Sequence, residues 1–394
     1  MSLLSDYEQR TAWKYAPIQG SFHTADTLTN KVMPDGSYAP FPGTTAVFRL
    51  TKQGGRLIQF MQQALMQALE STGMLASPLP VTALHMTLHD LISPENCASD
   101  PANAVQCEEE MAASLEQAAA IVAQIQKDFA GRKVEMVADR TVNMVSKSLV
   151  LMLRPKAEGD YELLLELYRR FDGITTLPYP LTPHITLAYF RPGMLDGAAL
   201  GRAVDFVQFS PEVAPVFEFD PESLTAQAFC DMQNYLDVPK RLCICCDGGL
   251  NRSVMAANIL NHMAKKRRLP VKGAARAAYP NTQGRTISSQ VWDTLEKHQV
   301  QPDKSHLAAR YLEQCEAAHF SEFAGITAGA MERFAWLGLP KQRFAVASRF
   351  FYGVRDPEYG EITYEHAFAE LEEGVTRYLD AFEAECKQYH IGVI

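Results

Sequence analysis

RLCICCDGGLNRS, residues Arg241–Ser253, joins a short apolar run to a helix through a glycine-containing turn, and it decides the architecture of the C-terminal part of the chain. Arg241–Cys245 reads as a strand, and apolar spacing from Ser253 to about Lys266 reads as a helix. Five residues separate Cys246 from Arg252, and Ser253 follows directly. That spacing lets the backbone N–H groups of Asp247, Gly248, Gly249, Leu250 and Asn251 curl into a nest around a phosphate at a helix N-terminus. Arg252 then returns to hold two phosphate oxygens in a fork. Cys246 sits at the base, where the helix dipole and the amides favour a thiolate able to attack phosphorus. The two glycines relieve the left-handed backbone that such a loop requires.

Other readings of this stretch are a metal cluster of Cys243, Cys245 and Cys246, or a plain glycine turn. Against the metal, Cys243 and Cys245 have the spacing of one strand face, and no second Cys/His pair stands at finger spacing. A nucleotide P-loop is excluded, because no Gly-Lys-Ser/Thr follows. Thiolate attack also needs an acid for the leaving oxygen. Asp356-Pro357-Glu358-Tyr359-Gly360 offers Asp356, 110 residues after Cys246, on a turn before the last helix. Further helices are expected over Ser288–His298, Ser305–Glu316, Ala328–Leu337 and Tyr364–Tyr389. Short apolar runs between them, such as Arg343–Ala347, suggest a central parallel sheet covered by helices. The run Lys265–Arg268 reads as a solvated helix end that complements the macrodipole.

These residues resemble the low-molecular-weight protein tyrosine phosphatase family over about 239–394. The resemblance implies an α/β fold, Cys246 as nucleophile, Arg252 as transition-state clamp, Ser253 as a hydrogen-bond partner of the thiolate and Asp356 as general acid. Asp247 stands where the family usually has a bulky apolar residue, Gly249 where it has Asn, and Asn251 where it has a second Cys. Glu358 replaces one of the aromatics that usually wall the pocket. Asp247 suits a sugar hydroxyl better than a phenyl ring, which counts against phosphotyrosine as the substrate.

The N-terminal part carries a different signal. His85-Met86-Thr87-Leu88 returns 99 residues later as His184-Ile185-Thr186-Leu187. With ten histidines in the chain, about half of one His-x-Thr is expected by chance. Requiring an aliphatic residue at x and a Leu after the Thr lowers that to roughly one or two hundredths. Each copy lies in a strand-like run, so His and Thr share a face. Imidazole can give or take a proton near neutral pH, and a threonine hydroxyl can hydrogen-bond a phosphate oxygen as charge builds. This set suits opening a cyclic phosphodiester by water without a metal; two core histidines are the bland reading. His89, two residues beyond Thr87, is expected on the same face in a supporting role. The strands read as Thr45–Thr51, Val81–Leu91, Val134–Met144, Ser148–Arg154 and His184–Phe190. The helices read as Gly55–Leu69, Val105–Phe129 and Tyr161–Phe171, with a polar loop at Ser93–Asn103.

Over about residues 1–236 these motifs resemble the 2H phosphoesterase superfamily. The resemblance implies a bilobal, pseudo-symmetric α+β fold, His85 and His184 as the acid/base pair, and Thr87 and Thr186 as phosphate binders. It also implies activity on 2′,3′-cyclic phosphates of RNA ends or nucleotides, or on cyclic phosphates of ADP-ribose. Asp35–Val47 and Phe217–Tyr235 look like an uncharacterised bacterial and fungal branch of that superfamily.

A chain of 394 residues suggests about two domains. The break is placed at Asp237–Lys240, giving 1–237 and 238–394. No run approaches the ~20 apolar residues of a membrane helix, and the first residues lack the character of a secretory signal. Eight scattered cysteines do not form a disulfide framework and fit a reducing cytoplasm. The net charge of −9 is uneven. Residues 1–237 hold 17 Lys/Arg against 28 Asp/Glu, and 238–394 hold 20 against 18. An acidic N-terminal part argues against binding long duplex nucleic acid, but not against a small phosphorylated substrate or an RNA terminus. The expectation is therefore a bifunctional phosphohydrolase with no metal, no cofactor and no membrane partner. Two alternatives stand beside it: a tyrosine phosphatase with an independent N-terminal domain, and a non-catalytic nucleotide-phosphate sensor.

Overall fold

The computed structural model describes residues 7, 11, 15, 16, 18, 20–98, 104–302, 307–314, 317, 319–339, 341–360 and 362–389. The chain divides into two compact units, Met1–Leu236 and Asp237–Ile394. No helix among the described residues is long and apolar enough to cross a membrane, and no described cysteine is in a disulfide.

Strands of the first unit are β1 (Tyr15–Ala16), β2 (Ser21–His23), β3 (Gly43–Arg49), β4 (His85–Asp90), β5 (Val134–Met144), β6 (Ser148–Pro155), β7 (His184–Tyr189), β8 (Met194–Asp196), β9 (Val216–Phe219) and β10 (Leu224–Phe229), with β11 (Tyr235–Val238) leading into the boundary. Its helices are α1 (Lys52–Ala68), α2 (Ala104–Asp128), α3 (Glu158–Arg169) and α4 (Gly197–Val207). One sheet runs β1-β5-β6-β7-β4-β3-β10-β11, with β9 also on β5, while β2 and β8 form a separate ribbon. The central pairs β5–β6, β6–β7, β7–β4, β4–β3 and β3–β10 are antiparallel. The helix expected from Gly55 starts at Lys52, because Thr51 accepts a hydrogen bond from the Gly54 N–H and caps it. Thr51 is thus a helix cap and not a strand end. Likewise Val81–Ala83, read as the start of a strand, is a 3-10 turn after Pro80, and β4 begins only at His85.

The motif strands β4 and β7 are neighbours at the centre of the sheet, with Met86 opposite Ile185. Met86, Leu88, Ile185 and Leu187 are buried, whereas His85, Thr87, His184 and Thr186 are half-buried. Each strand carries an irregularity at the Leu that follows its Thr. On β4, Thr87 pairs with Val47 and His89 with Ala46, so Leu88 is the extra residue. On β7, Thr186 pairs with Val150 and Ala188 with Leu149, so Leu187 is the extra residue. Paired residues share a face, and Ala46 and Val47 point to opposite faces. His89 therefore lies on the opposite face from Thr87, contrary to the simple alternation. It is buried beside Tyr168 and Phe171, with ring centroids 4.5 and 5.8 Å away, and burial lowers its pKa. The carbonyl of the extra residue on β7 finds a donor, as the buried Gln62 side chain of α1 donates to Leu187 O at 2.9 Å; beside the irregularity on β4, the Thr45 hydroxyl donates to His89 O at 3.1 Å.

The second unit holds β12 (Lys240–Cys246), β13 (Val271–Ala277) and β14 (Glu322–Gly325), a parallel sheet in the order β13-β12-β14. Its helices are α5 (Arg252–Arg267), α6 (Ser289–Lys297), α7 (Ala328–Trp336), α8 (Gln342–Phe351) and α9 (Tyr364–Gln388). Arg343–Ala347, read as a short strand, lies within α8. Its buried Phe344 and Ala347 are three residues apart, the spacing of one helix face against β14. The helix expected at Ser305–Glu316 is not formed over 307–314. There the chain is drawn alongside β13, with Ala277 N–H donating to Arg310 O and Leu312 N–H to Ala277 O. Ser305, His306, Cys315 and Glu316 lie outside the described residues. From Arg252 to Leu260 every residue of α5 is buried, so the helix start is held on all sides. Its basic last turn reaches α9 through Arg267 and Asp380, 2.5 Å apart.

Candidate functional site

The loop 247–251 leaves the C-terminal end of β12, the central strand of the parallel sheet, and enters α5 at Arg252. Ligands in open α/β sheets gather at that end of the strands. The Cys246 thiol is almost fully buried and lies 3.2 Å from the Ser253 hydroxyl. The Gly249 N–H points back at the same sulfur at 3.3 Å. The thiol donates to the Ser253 oxygen while the Gly249 N–H donates to the sulfur. On loss of the thiol proton the hydroxyl can turn to donate as well, so that both groups face a nucleophilic thiolate.

Arg252 is buried, and its guanidinium faces the acid expected from the sequence: Nη2 is 2.8 Å from Asp356 Oδ2 and 3.7 Å from Asp247 Oδ2. Nη1 donates to the Val354 carbonyl at 3.0 Å, while Nε has no hydrogen-bond partner. Asp356 also caps the turn Pro357–Tyr359 through the Glu358 N–H. Asn251 spans from the loop to that turn, its Nδ2 3.0 Å from Glu358 Oε2 and 3.4 Å from Asp356 Oδ1. The structure thus gathers Cys246, Asp247, Gly249, Asn251, Arg252, Ser253 and Asp356 into one constellation, with Gly248 and Leu250 completing the loop. Cys243 and Cys245 instead join an apolar cluster with Phe323 and Phe334. Among the described residues no group of three or more His, Cys, Asp or Glu is arranged to hold a metal.

Sequence reasoning did not find Thr327, whose hydroxyl donates to Asp247 Oδ1 at 2.8 Å. Nothing local marks it, since it reaches the loop only through the packing of α7. Gly249 has φ +63°, and a Cβ there would stand 2.9 Å from the Ala277 backbone nitrogen. Gly249→Ala is expected to cost about 2–4 kcal/mol, combining the left-handed backbone penalty with overpacking. It should also turn the amide away from the sulfur. Thermal unfolding checks this: a melting temperature equal to wild type would contradict it.

In the first unit, the antiparallel register that sets Met86 against Ile185 sets His85 against Thr186 and Thr87 against His184. Each histidine faces the threonine of the other motif. The two histidines are diagonal neighbours, roughly 7–8 Å apart by sheet geometry. The Nδ1 of His184 lies 2.7 Å from the Thr182 carbonyl, which makes that nitrogen the N–H donor and leaves the lone pair of the neutral ring on Nε2. The Tyr235 ring stands edge-on to His85 at 5.0 Å, and burial raises its pKa, keeping the phenol protonated. Arg49 pairs with His85 on β3 and so shares its face. Neither Tyr235 nor Arg49 carries a motif: strand register places Arg49, and tertiary packing of its ring on His85 places Tyr235.

No protein-family model and no curated protein matches the chain. Solved structures similar to parts of it include a conserved protein of unknown function from Agrobacterium tumefaciens, at 16% identity over 55% of this chain and 93% of that one, with a TM-score of 0.40. A low molecular weight protein tyrosine phosphatase from Streptococcus pyogenes is similar at 18% identity over 36% of this chain and 92% of its own, with a TM-score of 0.31. The YwlE arginine phosphatase from Geobacillus stearothermophilus is similar at 22% identity over 38% and 97%, with a TM-score of 0.32.

Proposed function

We propose that this chain is a bifunctional phosphohydrolase: its first unit opens a cyclic phosphodiester, and its second removes the phosphomonoester so formed. The observation that carries the monoesterase is the Cys246 sulfur held between Ser253 Oγ and Gly249 N, beside an Arg252–Asp356 pair at 2.8 Å. A phosphate in the loop takes the Arg252 fork in place of Asp356. The Cys246 thiolate then forms a bond to phosphorus as the ester P–O bond breaks, and Asp356 protonates the departing oxygen. Water next attacks the cysteinyl-phosphate, giving up a proton to Asp356. The P–S bond breaks, releasing inorganic phosphate and the thiolate.

Crossed pairing of the His-x-Thr motifs supports ring opening in the first unit. Water adds to phosphorus, one histidine takes its proton, and the other protonates the ring oxygen that leaves. The threonine hydroxyls hold the remaining phosphate oxygens as negative charge builds. Residues 1–237 then serve as a 2H phosphoesterase-like domain and 238–394 as a low-molecular-weight tyrosine phosphatase-like one. The substrate class is a 2′,3′-cyclic phosphate of a nucleotide or RNA end, or a cyclic phosphate of ADP-ribose. A thiol nucleophile requires a reducing setting such as the cytoplasm.

A time course with wild-type protein and a 2′,3′-cyclic nucleotide tests the sequence of steps. The monoester is expected to rise and fall, with inorganic phosphate following it. A ring that stays closed, or a monoester that is never consumed, rejects the two-step reading.

A further inference from the structure

Asp247 follows the nucleophile directly, and its place in the loop asks something of the substrate. Its carboxylate is held rather than mobile. Oδ1 accepts the Thr327 hydroxyl at 2.8 Å, and the backbone carbonyl accepts the Tyr279 N–H at 3.3 Å. Gly329, at the start of α7, leaves the space it occupies: a Cβ there would come within 2.5 Å of both Asp247 Oδ1 and the Tyr279 hydroxyl. The side chain is nonetheless 44% exposed, and Oδ2 is 3.7 Å from Arg252, beyond hydrogen-bond length. A fixed, half-exposed acceptor therefore stands at the rim of a phosphate cradle.

Beside a bound dianion such an acceptor is repulsive unless the ligand supplies a donor. An aryl ester supplies none. A full cation is not demanded, because Arg252 already lies close enough to offset part of the charge. What remains is a hydroxyl on the atom next to the ester carbon. Hydrolysis of a five-membered cyclic phosphate liberates that very group, since breaking one P–O bond leaves a free hydroxyl beside the surviving ester. Resting on the phosphatase reading above, we infer that Asp247 makes the Cys246 site select phosphomonoesters with a vicinal hydroxyl, such as ribonucleoside 2′- or 3′-monophosphates.

Phosphate release by the full chain, measured as kcat/KM, tests this with adenosine 3′-monophosphate, 2′-deoxyadenosine 3′-monophosphate, phenyl phosphate and a phosphoguanidine, each alongside Cys246→Ser. One charge-assisted hydrogen bond gives an expected ribo-over-deoxy preference of roughly 10- to 100-fold. Asp247→Ala should bring that ratio close to one and raise the rate on phenyl phosphate relative to the ribonucleotide. Equal wild-type rates on the ribo and deoxy compounds, with turnover that depends on Cys246, would overturn the selectivity and leave the phosphatase standing. A preference for the phosphoguanidine over the ribonucleotide would overturn it too, showing that the carboxylate reads a cation. Absence of Cys246-dependent phosphate from all four compounds would sink both readings together.

Discussion

Given a 2′,3′-cyclic nucleotide, Cys246→Ser is expected to open the ring and stop at the monoester, with phosphate release falling by about 10⁴-fold or more. The substitution exchanges one atom. Ser253 Oγ and the Gly249 amide, at 3.2 and 3.3 Å from the sulfur, can stabilise a thiolate. They cannot ionise a serine hydroxyl near neutral pH, so no nucleophile forms in a cradle that still grips phosphate. Chromatographic separation of cyclic nucleotide, monoester and nucleoside gives the answer in one time course. Nucleoside appearing at the wild-type rate would mean that the two units do not act in sequence.

His85→Ala and His184→Ala should each leave the ring closed, slowing opening by about 10²- to 10⁴-fold, the range for loss of one general acid or base. In the proposed mechanism the four side chains act as a unit, because each imidazole faces the threonine of the other motif. The double variant should then fall little further than either single one, as groups that cooperate in one transition state do. Loss confined to one histidine, with the other replaceable at no cost, would reject the paired-motif site. Disappearance of the cyclic nucleotide, followed directly, is the measurement.

The cradle was legible in the sequence because its chemistry is local. Cys246, the two glycines, Arg252 and Ser253 lie within eight consecutive positions, and strand-to-helix geometry follows from that spacing alone. The His-x-Thr pair was legible as a repetition. Its crossed pairing was not, since register depends on which strands meet. The irregularities at Leu88 and Leu187 stayed hidden for the same reason, and with them the true face of His89. Thr327 reaches Asp247 only by tertiary packing. Arg343–Ala347 misled because a short apolar run fits a buried strand or a helix face equally well. The absent helix at 307–314 shows tertiary pairing with β13 overriding a helical pattern.

The crossed pairing of β4 and β7 has a consequence for how the first unit comes to life. In the proposed site neither motif suffices alone, because a histidine and its facing threonine come from segments 99 residues apart in the chain. Local helices can form early, but closing so long a loop is entropically slow and comes with the topology of the whole sheet. On the ring-opening reading proposed above, competence arrives with the long-range closure itself. In a refolding chain, the return of the proposed activity would report on this long-range pairing, separately from the recovery of helix content.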